Sequence, residues 1–432
     1  MYLLYDILFL IAMPFLLVGF FFRGLRRGRV RRGLRERFGF YRRERLQPLE
    51  GRKVIWIHAV SVGEARAAIP LLRALRQNAS QYAVVMTTVT ETGQDVARKI
   101  PEVDACFYFP FDFSGIIRRA LRAFHPCLIL IVETEIWPNL MRLAYRRTIP
   151  VVLVNGRFSD RSFPHYCWAG RLTSWVMREF AAFCMQTALD AKRACRIGAP
   201  PERVTVTGNL KFDMRADNAV TPADCPQLRE EFRLPQESLV WACGSTHEGE
   251  EEILLRVYGR LRMQWPSLVL ALAPRHPRRF RTVAELVRRE GFVLRLRSEI
   301  TPEQALFTEG GVLLMDVMGE MLRLYALADL VFVGGSLVSV GGHNVLEASL
   351  MHRAVLFGPH MHNFREIVRL LLEAGGGAQV QDEAELEEKA AALLSDASLR
   401  GQMGEHGFRL LMENQGATEK TMAILKRLLP EP

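Results

Sequence analysis

Four groups of residues have types and spacings suited to chemistry. The first is Gly341-Gly342-His343-Asn344-Val345-Leu346-Glu347, which follows an apolar run, Leu330–Val333, and the pair Gly334-Gly335. Strand, glycine loop and helix start form the layout in which backbone amides and a helix N-terminus receive a phosphate. Glu347, in the first turn of a helix capped by Asn344, could accept hydrogen bonds from a ribose. The same spacing is also that of a capping box, which needs no ligand. The second group, Arg275-His276, ends the apolar run Leu268–Ala273 and offers two potential cations to a phosphate or carboxylate, or two ordinary turn residues. Third is Glu36 between Arg35 and Arg37. Two flanking guanidinium groups could hold this carboxylate ionised as a general base, or it is a surface glutamate making ion pairs along a helix. The fourth group is a set of polar loops: Ser61-Val62-Gly63-Glu64, Glu133-Thr134-Glu135 and Asn155-Gly156-Arg157.

The elements that must position these groups are short buried strands alternating with helices. Val54–Val60, Ala83–Thr88, Cys127–Val132 and Val151–Val154 are apolar and rich in β-branched residues, as strands covered on both faces are. Each runs into one of the polar loops, and in a doubly wound sheet such loops gather at the C-terminal edge, where ligands bind. A second series begins after the polar, proline-containing stretch Lys211–Gln236: strands near Leu239, Leu268, Val312, Leu330 and Val355. The chain thus divides into residues 23–210, a linker 211–236, a second domain 237–400 and C-terminal helices 401–432.

At 432 residues the chain can bury two cores. Its seven cysteines are scattered and form no C-x-x-C pair, which suits reduced thiols and supplies neither a disulfide framework nor a metal cluster. Residues 1–22 are apolar apart from Asp6, long enough for a helix of roughly 30 Å to span a bilayer once. A helix lying in the interface is the alternative, favoured by Asp6 and Pro14. Eleven arginines and two glutamates follow between Arg23 and Arg45, a net +9 out of the formal +10. This collar places the remainder in the cytoplasm by the positive-inside rule and suits anionic lipid headgroups. Joined to a membrane segment, it would present itself poorly to nucleic acid.

With these motifs the sequence resembles the 3-deoxy-D-manno-octulosonic acid (Kdo) transferases of lipopolysaccharide synthesis, inverting glycosyltransferases of the GT-B fold. The resemblance rests on the apolar N-terminus, Glu36-Arg37-Phe38-Gly39, His58 to Glu64, Glu133 to Asn139, Val154 to Arg157, Gly208 to Asp213, Gly244 to Glu250, Ala273 to Pro277 and Gly341 to Glu347, in order along almost the whole chain. It implies an α/β fold of two Rossmann-like domains facing a cleft, with an N-terminal membrane helix. It implies transfer of Kdo from CMP-Kdo to the lipid A precursor (lipid IVA) at the cytoplasmic face of the inner membrane, with Glu36 as base. Donor binding then falls to Ser245, Arg275, His276, Gly341, Gly342, Asn344, Glu347 and Lys211, with Arg157 a second candidate for the Kdo carboxylate. Ser61, Gly63, Glu64, Glu133, Glu135 and Asn155 are further cleft candidates. No D-x-D sequence is present, so no metal and no cofactor is expected.

Overall fold

The computed structural model describes residues 5–7, 9–11, 13, 33–214 and 220–430. It forms two units, one comprising the chain up to Met214 together with Asn414 onward, the other Arg215–Glu413. Most of the apolar segment 1–22 and the first part of the basic collar lie outside the described residues. Among the described residues no helix is long and apolar enough to cross a membrane, so the membrane helix expected from sequence finds no support here.

The first unit is built on seven parallel strands: β1 (Val54–His58), β2 (Ala83–Thr88), β3 (Ala105–Tyr108), β4 (Pro126–Val132), β5 (Val151–Gly156), β6 (Ala182–Met185) and β7 (Val204–Val206), in the order β3-β2-β1-β4-β5-β6-β7. Residues alternate between the two faces of the sheet, so Val54 and Trp56 join one core while Ile55 and Ile57 join the other. Both faces are dry, which is why these strands are continuous apolar runs. The helix Ala417–Leu428 returns from the far end of the chain and adds Ala417, Met422 and Leu425 to the second core. Nothing local in the sequence announces this return, because an amphipathic helix records that it packs and not where.

The second unit repeats the plan with β8 (Val240–Thr246), β9 (Val269–Pro274), β10 (Leu294–Leu296), β11 (Gly311–Leu314), β12 (Leu330–Val333), β13 (Ala354–Phe357) and β14 (Ala378–Gln379), in the order β10-β11-β9-β8-β12-β13-β14. Much of the stretch expected as linker is ordered structure. Leu210–Asp213 is a 3₁₀ turn of the first unit, and Cys225–Glu231 is a helix whose buried Arg229 bonds to Asp329 at 3.0 Å. The sheet order reverses between β1 and β4 in one unit and between β8 and β12 in the other. At such switch points the loops diverge to opposite faces and leave a crevice.

Candidate active site

The loops leaving β1 and β4 flank the switch point of the first unit, and they carry the acidic candidates. Ser61 caps the helix Val62–Ala67: its hydroxyl accepts from the Glu64 amide at 3.4 Å and donates to Glu64 Oε1 at 3.0 Å. Val60 N–H donates to Glu64 Oε2 at 2.6 Å. Glu64 is thereby held at the strand end, with Gly63 exposed beside it. Burial and, after it, the neighbouring Glu133 raise the Glu64 carboxyl from the ordinary 4.5 to about 8, against the hydrogen bonds that lower it. Glu135 is raised by the same two causes. Lys211 Nζ lies 3.2 Å from Glu133, so this lysine belongs to the acidic cluster of the first unit. Asn155 joins the group through the Leu210 amide, which donates to its side-chain oxygen at 2.9 Å. Arg157 is tied in by its carbonyl, which accepts from the Thr134 hydroxyl at 2.6 Å.

Under this cluster lies His58, fully buried, stacked on Phe109 at 3.9 Å and bonded through Nδ1 to Thr87. Burial pushes its imidazole down to about 3, so it is a neutral packing element at working pH. Glu133, Asn155 and, in the other unit, Ser245 are three of the seven described non-glycine residues with φ in the left-handed region. Backbone strain of this kind is held where the surrounding structure over-determines it, commonly at ligand sites.

Glu36 sits elsewhere. It accepts from the Tyr108 amide at 2.9 Å and pairs with Arg45, at the end of β3. The strand order puts β3 two positions from β1, roughly 10 Å at the usual strand spacing. Of the two flanking arginines expected to hold Glu36, Arg37 lies near enough for the two charges to act on each other. Arg35 is exposed, while Arg37 is buried, donates to the Val89 carbonyl and lies over the Tyr108 ring. Glu36 does line a cavity of ≈ 590 Å³ together with Arg35, Tyr41, Arg42 and Arg45.

In the second unit the glycine loops occupy the switch point as expected, but their amides are used differently. Glu250, fully buried, accepts from the amides of His247, Gly335, Ser336 and Leu337 at 2.7–2.9 Å. An internal carboxylate thus takes the amides at the first glycine pair, Gly334-Gly335, whereas the phosphate was expected at the second, Gly341-Gly342. Gly334 is required there, since a Cβ would sit 2.7 Å from the Thr246 Cα. Gly341 (φ 112°) lies against the His362 and Asn363 side chains, and the Gly342 amide donates to the Gly335 carbonyl at 2.7 Å. Asn344 turns its side-chain oxygen to the Leu346 amide at 3.2 Å, just before the five-residue helix Leu346–Leu350 that carries Glu347.

Beside these loops the donor-binding candidate His276 meets His247, and His247 meets His343; these last two histidines had no role in the sequence reading. His247 Nε2 is 2.8 Å from His343 Nε2, and the rings of His247 and His276 meet edge-on at 5.5 Å. Burial, then His276, Arg275 and Arg279, lowers His247 to about 4. Burial is the larger cause, but Arg275 and Arg279 add positive potential beside these rings, which suits an anion. The signal was present in Thr246-His247-Glu248, but no spacing rule joins it to His276 and His343. Among the described residues no group of histidines, cysteines and acids has the geometry to hold a metal ion.

A family model described as 3-deoxy-D-manno-octulosonic-acid transferase (kdotransferase) matches residues 32–214. The 3-deoxy-D-manno-octulosonic acid transferase of Haemophilus influenzae is 36% identical over 429 residues, covering 98% of each chain. That of Bordetella pertussis is 33% identical over 384 residues, covering 86% of each. Among solved structures, UDP-GlcNAc 2-epimerase from Neisseria meningitidis bound to UDP-GlcNAc superposes with a TM-score of 0.56 at 15% identity, covering 87% of this chain and 100% of that one. At that identity the likeness speaks for the fold alone, the two-unit GT-B class. Full-length similarity to named transferases, over two parallel doubly wound sheets, makes this chain a glycosyltransferase of the 3-deoxy-D-manno-octulosonic acid transferase family.

Proposed function

We propose that the protein moves Kdo from CMP-Kdo to a hydroxyl of the acylated, phosphorylated glucosamine disaccharide lipid IVA, with inversion, in lipopolysaccharide synthesis at the cytoplasmic face of the inner membrane. In this reaction the acceptor oxygen bonds to the anomeric carbon of Kdo, the bond from that carbon to the CMP phosphate oxygen breaks with its electron pair, and the acceptor proton passes to a base.

The observation that carries the assignment of that base is the place of Glu64, at the switch point of the first unit with its carboxyl raised to about 8. A general base works best with a pKa near operating pH. Glu64 meets this; its two oxygens accept from the Val60 amide and the Ser61 hydroxyl, as those of Glu36 accept from Arg45 and the Tyr108 amide, so it is the place of Glu64 at the switch point that separates the two. Lys211, paired with Glu133, supplies the cation expected for the Kdo carboxylate, with Arg157 on the adjoining loop. In the second unit the CMP phosphate is assigned to Arg275, His276 and His247, beside the loop of Gly341, Gly342 and Asn344. Glu347 is assigned to the ribose and Ser245 to the donor side of β8. A leaving CMP carries less charge than a diphosphate, so the fixed guanidinium of Arg275 with neutral imidazole donors stabilises it and added metal is not required. Activity abolished by EDTA and restored by Mg²⁺ would contradict this.

Glu36 is the second reading of the base, favoured by the cavity it lines. The test is incubation with CMP-Kdo and the tetra-acylated precursor without added metal, beside Glu64→Gln and Glu36→Gln, following lipid mass. Mass gain in the wild type and in Glu36→Gln, and none in Glu64→Gln, is the expected result. Gain in no sample, with folded protein, removes the proposed substrates.

A further inference from the structure

Lys211, assigned above to the Kdo carboxylate, owes its place to a segment near the other end of the chain. It stands within the 3₁₀ turn Leu210–Asp213, and its ammonium lies 3.2 Å from Glu133. A lysine carries a point charge on a flexible four-carbon stem, so the charge sits where the backbone beneath it and a partner fix it. A single 3₁₀ turn is short and poorly hydrogen-bonded within itself, and supplies little of that rigidity.

The holds on this turn flank Lys211 on both sides. Before it, Asn209 accepts from the Lys211 amide at 3.0 Å, and Asn155, at the end of β5, accepts from the Leu210 amide at 2.9 Å. After it, the Asp213 carboxylate reaches the start of the helix Ala417–Leu428. One oxygen accepts from the Gly416 amide at 2.7 Å and the other from the Thr418 amide. Gly416, at φ 100°, begins this helix without a side chain to cap it, which leaves first-turn amides to be satisfied from elsewhere. Asp213 supplies that cap from 203 positions earlier, with the charge that the positive end of a helix favours. Leu210 and Phe212, on either side of Lys211, are buried, and Leu210 shares its core with Ala417, Met422 and Leu425. Gly208 lets the chain pass close by, since a Cβ there would stand 3.4 Å from that of Ala417.

The chain leaves the first unit after Met214 and re-enters it at Asn414, so Asp213 ties the exit to the re-entry. The same carboxylate is two residues from Lys211, in a turn whose C-terminal half has its charge-assisted hold there. We infer that Asp213 is a positioning residue for Lys211: by clasping Gly416 and Thr418 it makes the C-terminal helix the mount from which the ammonium is held toward Glu133 and the incoming carboxylate. The second half of this statement rests on the reading that Lys211 receives the carboxylate of Kdo.

The test compares the full chain with Asp213→Ala and with Asp213→Asn, which keeps one acceptor oxygen. Reductive methylation with ¹³C-formaldehyde labels the seven lysines and leaves them charged, and Lys211→Arg identifies the Lys211 resonance in NMR spectra. That resonance should move toward those of exposed lysines in Glu133→Gln, and in the same direction in both Asp213 variants. An unmoved resonance in folded Asp213→Asn and Asp213→Ala would overturn the inference. In transfer assays on unlabelled protein, a lysine that grips the carboxylate equally in ground and transition states acts on KM. Lys211→Met and Asp213→Asn should therefore each raise the KM for CMP-Kdo about tenfold with kcat nearly kept. The double variant should be no worse than Lys211→Met alone, because both changes act through one ammonium; additive losses would reduce Asp213 to a helix cap and overturn the inference too. A wild type that transfers nothing while the resonance moves would remove the substrate reading and leave the positioning in place.

Discussion

Replacing Glu64 by Gln separates a catalytic from a structural role, because the two roles predict opposite effects on stability. The folded chain holds a proton on Glu64 up to about pH 8, whereas an ordinary glutamate releases it near 4.5. Between those values the folded state binds more protons than the unfolded one, so stability falls as pH rises through this window. The full shift corresponds to about 5 kcal/mol at 1.4 kcal/mol per unit, and relaxation around a partly accessible group cuts this to about 2 kcal/mol. Gln keeps an acceptor for the Val60 amide and carries no charge beside Glu133 and Glu135. Thermal unfolding of Glu64→Gln should therefore match wild type near pH 4.5 and exceed it by several degrees at pH 8. Its kcat should fall by 10²–10⁴ if Glu64 takes the acceptor proton. Glu36→Gln should behave oppositely, losing about 1–3 kcal/mol because Arg45 is left without its carboxylate, while the folded fraction turns over at a near-normal rate. Near-normal kcat in Glu64→Gln together with a 10²-fold loss in Glu36→Gln would refute the reasoning and restore Glu36 as the base.

Other outcomes follow from the second unit and the returning helix. Glu250→Gln removes the carboxylate that four loop amides share, and it should raise the Kd for CMP at least tenfold by calorimetry while destabilising the unit. Gly334→Ala brings a Cβ to 2.7 Å from the Thr246 Cα, where neither partner can yield, and should cost more than 2 kcal/mol in denaturant unfolding. His247, lowered to about 4 against an unfolded value near 6.5, makes stability rise with pH across that window. An anion bound beside it should pull the value back up, seen as proton uptake on CMP binding near pH 5.5. Leu425→Ala, in the helix that closes the first unit, should cost about 2–4 kcal/mol although it lies near the end of the chain.

Much of the architecture was legible in the sequence because central parallel strands must be apolar on both faces. Val54–His58, Cys127–Val132, Val151–Val154, Leu268–Ala273 and Leu330–Val333 announced themselves this way, and with them the loops that end them. The strands Ala105–Tyr108, Ala182–Met185, Val204–Val206, Leu294–Leu296 and Ala378–Gln379 did not. All are short; Val204–Val206, Leu294–Leu296 and Ala378–Gln379 lie at sheet edges and are partly exposed, which weakens their pattern, while Ala105–Tyr108 and Ala182–Met185 are buried throughout but only four residues long.

For the site, local sequence determined which residue types stand at which strand ends: Ser61 and Glu64 after β1, Glu133 and Glu135 after β4, glycines after β12. Folding decided how they pair. It added Arg45 as a partner of Glu36, filled the first glycine pair with Glu250, joined His247 to His343 across 96 positions of sequence, and turned Tyr5 and Asp6 inward onto Asp112 and Ser114. Hydrophobic periodicity is a property of a short segment and can be read from it. A carboxylate's partner and its proton affinity depend on distances between segments that only the closed sheets bring together.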